Sequence, residues 1–96
     1  MIGIRQTAEY QKWFDKLRDQ QARARINIRI RRLSLGHFGD VKTVGQGVSE
    51  LRIPYGPGYR LYFTRQYEEL ILLLYGGDKS SQERDIARAH AMMKDL

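Results

Sequence analysis

With 96 residues, the chain has room for one domain (residues 1–96) around one modest core. Seventeen Lys and Arg against eleven Asp and Glu leave a formal net charge of +6, and a 42% hydrophobic share is too high for a disordered chain. The absence of cysteine excludes disulfides and thiolate metal sites, and no apolar run approaches the ~18 residues of a membrane-spanning helix.

With only His37 and His90 available, no metal site and no cofactor are expected. Met1–Arg5 lacks the apolar core of a signal peptide, so the expected compartment is the cytoplasm. Of the basic residues, twelve are arginine, which grips phosphate or carboxylate as a planar fork. They are unevenly spread: residues 7–33 hold eight bases and three acids, whereas residues 67–96 hold four bases and six acids. An anionic partner is expected, either nucleic acid or an acidic protein segment.

Ile2 and Ile4 alternate with Gly3 and Arg5 and predict a short opening strand. Thr7 is placed to cap a helix with Glu9 in its first turn, and Tyr10, Trp13, Phe14 and Leu17 share one face of it. That helix is expected to stop near Asp19. Gln20–Leu33 fits two periods, because Ile26, Ile28 and Ile30 alternate while Ala22, Ile26, Ile30 and Leu33 form a helical stripe. Length together with Ala and Arg content favours helix. Arg25, Arg29 and Arg32 then line its opposite face, either as a solvated surface or as a docking stripe for an acidic segment.

Leu35–Asp40 reads as a turn-rich connector. Strands are expected over Val41–Val44, Val48–Pro54 and Tyr59–Gln66, separated by Gly45-Gln46-Gly47 and Gly56-Pro57-Gly58. Leu70–Tyr75 is continuously apolar, as befits a strand covered on both faces. Gly76-Gly77 is expected to end it, and Ser80 with Glu83 to form the capping box of a last helix. The order is β-α-α-β-β-β-α, an α+β fold: a mostly antiparallel sheet of four to five strands, an N-terminal helical hairpin on one face and a C-terminal helix.

Strand alternation points Leu51, Ile53, Tyr59, Leu61 and Phe63 to the helical hairpin, and Glu50, Arg52, Arg60 and Tyr62 to the open face. Lys42 and Lys79 are placed to join that face, which would make a phosphate cradle. The alternative is structural: Arg60 paired with Glu50 across a hairpin, Tyr62 in a small core under the last helix, and Lys79 a solvated loop lysine. No P-loop, nucleophile elbow, histidine pair or acidic metal cluster is present. By elimination, an enzyme built on this face would act on phosphates, for instance through attack of a ribose 2′-hydroxyl on the neighbouring phosphate of RNA.

The run Glu50-Leu51-Arg52-Ile53-Pro54-Tyr55-Gly56-Pro57-Gly58-Tyr59-Arg60-Leu61-Tyr62-Phe63 resembles the RelE/ParE toxin superfamily. Leu72–Gln82, with Gly76-Gly77-Asp78-Lys79-Ser80-Ser81-Gln82 at its end, is similar to the phage Gp49-like, HigB-type branch of addiction-module killer proteins. The resemblance implies the toxin of a type II toxin–antitoxin system, with ribosome-dependent cleavage of mRNA as its activity. Arg60 then matches the arginine that binds the scissile phosphate, and Lys79 the position that stabilises the transition state. Arg52 and Lys42 are the further RNA-binding residues, and Tyr62 is the acid/base candidate with Tyr75 behind it. Glu50 and Asp85 depart from the pattern, since the nuclease group has a lysine and a C-terminal tyrosine near those places.

The implied partners are a helix-turn-helix antitoxin encoded downstream, the ribosome with its mRNA, and operator DNA only through the antitoxin; the Arg25, Arg29 and Arg32 stripe and the open sheet face are both suitable docking surfaces for that antitoxin. No membrane partner is implied. A DNA gyrase poison of the ParE kind, or an inactive module that binds only its antitoxin and DNA, are the alternatives.

Overall fold

The computed structural model describes residues 1–96. In chain order the elements are β1 (Gly3–Gln6), α1 (Ala8–Asp15), α2 (Gln20–Ser34), β2 (Val41–Thr43), β3 (Ser49–Ile53), β4 (Tyr59–Tyr67), β5 (Leu70–Asp78), a 3-10 turn (Lys79–Ser81) and α3 (Gln82–Met93). The five strands form one sheet in the order β1-β5-β4-β3-β2. Only the β1–β5 pair is parallel, and β2 to β5 form an antiparallel meander.

Local chemistry accounts for the helix boundaries. Thr7 Oγ1 accepts from the Tyr10 N–H (3.0 Å) and donates to the Leu74 carbonyl (2.6 Å), so one cap starts α1 and ties it to β5. Asp19 Oδ1 accepts from the N–H groups of Gln21 (3.0 Å) and Ala22 (3.2 Å). Its backbone is therefore extended, and α1 ends at Asp15, earlier than the expected stop near Asp19.

α1 and α2 bury Tyr10, Ala22, Ile26 and Leu33 against Leu51, Leu61, Phe63, Ile71 and Leu73, forming the main core. The other sheet face carries a smaller core of Val48, Tyr62, Leu74 and Ala89 under α3. β5 is thus covered on both faces, as its apolar run requires. The Tyr10 hydroxyl has no partner in the main core, and burial pushes the phenol well above its ordinary pKa. Tyr10→Phe removes this buried unpaired group, which costs roughly 1–3 kcal/mol to leave unsatisfied. The substitution is expected to raise the urea unfolding midpoint; a lowered midpoint would overturn that assignment.

Two sequence expectations are corrected at the end of β5. The strand continues through Gly76 and Gly77 to Asp78. These glycines are sites of close approach: a Cβ on Gly76 would collide with the Trp13 ring, and one on Gly77 with the Asp85 carboxylate. Nor does Ser80 form a capping box with Glu83. Asp78 caps the 3-10 turn instead, accepting from the Ser80 N–H (2.8 Å), and Ser81 Oγ donates to Asp85 Oδ2 (2.5 Å) as α3 begins.

Candidate functional site

The pleat of β3 and β4 sends Glu50, Arg52, Arg60 and Tyr62 to the sheet face that carries α3. In register, Lys42 stands beside Glu50, Glu50 beside Tyr62, Arg52 beside Arg60, and Arg60 beside Gly77. Two arginines directly opposite one another repel, so the face needs a counter-charge. Glu50 supplies it. Its Oε1 accepts from Arg52 Nε (3.0 Å) and Arg60 Nη1 (3.3 Å), and its Oε2 from Gln82 Nε2 (2.9 Å) and Tyr62 Oη (3.2 Å).

The Glu50 carboxylate is fully buried, and burial alone would raise its pKa. Hydrogen bonds from Gln82 and Arg52, the Arg60 charge and the Tyr62 bond outweigh burial and hold it below the ordinary carboxylate range. The three charges sum to +1. Arg52 keeps 34% of its side chain exposed and Arg60 13%, and the Glu50 bonds fix the orientation of both guanidiniums.

The face is narrower than expected, because α3 covers it at Tyr62. This side chain is 0% exposed, and burial together with the Glu50 charge pushes its phenol well above the usual range. Tyr62 therefore cannot exchange a proton with a substrate, and its acid/base assignment is corrected to a buried donor that holds Glu50. Tyr75 is half-buried against the Arg88 guanidinium (5.5 Å). His90 Nε2 donates to the Val44 carbonyl (2.9 Å), and His37 lies in the exposed connector, so neither histidine reaches the arginine pair. Asp85 is buried over Gly77, and burial raises its pKa against the opposing Ser81 bond.

Lys79 is exposed in the 3-10 turn, where its N–H meets the Pro57 carbonyl (3.4 Å). With Ser80, Ser81, Gln82, Glu83 and Arg84 it lines an open polar groove of about 460 Å³, in which Glu83 sets a carboxylate among the cations. Gln82 belongs both to this groove and to the Glu50 cluster, which joins the two. Lys42 stands exposed on β2 at the outer edge.

Arg25, Arg29 and Arg32 lie elsewhere, on α2 across the sheet. Arg29 is not a free cation of a solvated stripe: its Nη1 donates to the Arg52 carbonyl (2.6 Å) and its Nη2 to the Phe38 carbonyl (3.3 Å). Arg25 stacks on the Tyr55 ring at 4.5 Å. Gln82 and the hub role of Glu50 escape sequence reasoning, since a lone acid between apolar strand neighbours signals a face but not four converging donors. No three His, Asp or Glu side chains come together as a metal set, and no helix is long and apolar enough to cross a membrane.

No protein-family profile matches the chain. An uncharacterized protein of Haemophilus influenzae is 46% identical over 95 residues, an alignment covering 99% of this chain and 96% of that protein. Among solved structures, a chain of the intact E. coli RelBE toxin–antitoxin complex superposes with a TM-score of 0.67 at 16% sequence identity. That match covers 81% of this chain and 96% of the other. The fold is therefore RelE-like.

Proposed function

Because the chain belongs to one family with the Haemophilus influenzae protein and has a RelE-like fold, we propose that it is the toxin of a toxin–antitoxin pair acting on RNA in the cytoplasm. The observation that carries this reading is the Arg52–Glu50–Arg60 cluster, joined through Gln82 to the open groove that Lys79 lines. Its proposed reaction is cleavage of mRNA on the ribosome, with a HigB-type toxin as the nearest functional kind. The RNA 2′-oxygen bonds to phosphorus and the bond from phosphorus to the 5′-oxygen breaks. Arg60 and Arg52 hold the phosphate, and Lys79 meets the charge that builds on the phosphorane.

With Tyr62 buried, the protein supplies charge stabilisation and water carries the protons: one away from the 2′-hydroxyl, one to the departing 5′-oxygen. Lys42 extends the RNA contact along the sheet edge. The proposed partners are an antitoxin of helix-turn-helix type, the ribosome with its mRNA, and operator DNA through the antitoxin. A second reading has support from one feature, the burial of the Tyr62 hydroxyl, the phenol of the arginine face, against Glu50. In that reading the chain poisons DNA gyrase by binding it.

The test is to map new mRNA 5′ ends minutes after pulsed expression of the wild type and of Arg60→Ala/Lys79→Ala. In-frame cuts within translated regions are expected for the wild type. Removing a single such electrostatic contact typically costs about 10²–10³ in rate, so the double variant should show no cuts above background. Growth arrest with DNA breaks and no cuts would replace the nuclease reading with the gyrase one. Neither arrest nor cuts would leave a binding module.

A further inference from the structure

β1 pairs with β5 only from Leu70 to Leu73. Thr7 adds its N–H to the Leu73 carbonyl and its hydroxyl to the Leu74 carbonyl, and the chain then enters α1. From Tyr75 to Asp78, β5 therefore has β4 on one side and no strand on the other. Helices flank this uncovered edge: Trp13 of α1 closes on Gly76 from one sheet face, and Arg88 of α3 on Tyr75 from the other. Between them lies an open groove of about 210 Å³, lined by Glu9, Lys12, Trp13, Lys16, Tyr75 and Arg88.

Three features of the groove point to its occupant. Trp13 and Tyr75, both half-buried, bring two aromatic rings to the same opening, and such rings stack flat heterocycles. Lys12, Lys16 and Arg88 stand around them against the one carboxylate of Glu9, for a net charge of +2. That carboxylate makes no ion pair with its basic neighbours, which leaves its oxygens able to accept from a ligand. An acidic peptide meets repulsion at Glu9. A nucleobase with an exocyclic amino group meets an acceptor there, while the phosphates beside it meet the cations.

We propose that this groove is a subsite for single-stranded RNA. One base lies on Trp13 and Tyr75, Glu9 accepts from its amino group, and Lys12, Lys16 and Arg88 pair with the flanking phosphates. The inference rests on the RNA-cleavage reading only for the choice of RNA over DNA. The subsite is separate from the arginine pair: on α3, Gln82 reaches Glu50 on β3, whereas Arg88 reaches Tyr75 on β5, two strands away.

Trp13 is the sole tryptophan, so its emission reports on the groove directly. The experiment titrates the intact chain at low salt with tetracytidylate and tetrauridylate, both 2′-O-methylated so that no cleavage intervenes. The two bases share one ring size and differ where cytosine has an amino donor and uracil a carbonyl oxygen. Tetracytidylate is expected to quench Trp13 and to bind about tenfold more tightly than tetrauridylate. Glu9→Ala should bring the two affinities within about twofold of each other, and Lys12→Glu/Lys16→Glu should weaken both about tenfold. Arg60→Ala/Lys79→Ala should leave the quenching as in the wild type, because those residues belong to the other site.

Equal affinity of the wild type for the two oligonucleotides would overturn the role of Glu9 and the proposed base recognition with it. Quenching by a peptide of Asp and Glu at lower concentration than by either oligonucleotide would make the groove a protein surface instead. Cytidine monophosphate binding as tightly as tetracytidylate would make it a pocket for free nucleotides and overturn the strand contact. No quenching up to about 1 mM oligonucleotide, the weak end of measurable affinity, would remove the proposal. None of these outcomes depends on growth arrest or mRNA cuts, so the failure of either reading is recognisable by itself.

Discussion

Glu50→Ala is expected to destabilise the fold by about 3–5 kcal/mol, because it strips a buried counter-charge from two arginines and leaves Tyr62 and Gln82 without their acceptor. A domain of this size is stable by only about 5–15 kcal/mol, so the loss is a large share of the total. Arg52→Ala removes one donor from the more exposed partner and should cost no more than about 1 kcal/mol. Urea unfolding of the two variants checks the contrast, and equal midpoints would refute the hub role of Glu50.

Acid should act through the same carboxylate. The folded-state pKa of Glu50 lies below its ordinary value of 4.5, so its contribution is fully present above pH 4.5 and is lost as pH falls through the folded value. Asp85 has the opposite sign. Its folded pKa is raised above 3.8, so the folded state binds the proton more tightly and is favoured as pH drops from that raised value toward 3.8. Glu50→Gln should flatten the acid limb of the stability curve, and Asp85→Asn should remove the opposing slope.

Gly76→Ala is expected to be the second severe change, because a methyl group there collides with the Trp13 ring, which packs α1 on β5. Overpacking of this kind costs about 1–3 kcal/mol when neighbours can shift. Trp13 is the sole tryptophan, so its fluorescence should move to longer wavelength as the ring is displaced toward water. Combining Gly76→Ala with Trp13→Leu should recover part of the loss, as expected for residues in contact. Gly77→Ala presses on Asp85 across the sheet and should leave the Trp13 emission unchanged while loosening α3. Identical fluorescence and stability for Gly76→Ala and the wild type would contradict this packing.

Much of the architecture was legible in the chain itself. The alternation through Leu51–Ile53 and Tyr59–Phe63 separates the two sheet faces, Thr7 marks the start of α1, and the apolar run Leu70–Tyr75 requires a strand covered on both sides. The helix ambiguity at Gln20–Leu33 resolves as length and composition favour, with Ile28 left outside the buried stripe. The site was legible in part, since the grouping of Arg52, Arg60 and Tyr62 on one face follows from the pleat alone.

What covers that face is a tertiary matter. Period two says which way a side chain points, but the placement of α3 decides that Tyr62 is buried while Arg52 stays half-exposed. The same helix brings Gln82 to Glu50 and Asp85 over Gly77, from 32 and 8 residues away in the chain. Gly76-Gly77 has the composition of a turn, but pairing with Leu61 and Arg60 of β4 keeps it in a strand, and the approach of Trp13 and Asp85 from opposite sides is what requires glycine there. Local pattern determines backbone form and facing, because those depend on neighbours in sequence. Burial, counter-charges and the division of the arginines between a clamp, a groove and an ion-paired face depend on neighbours in space.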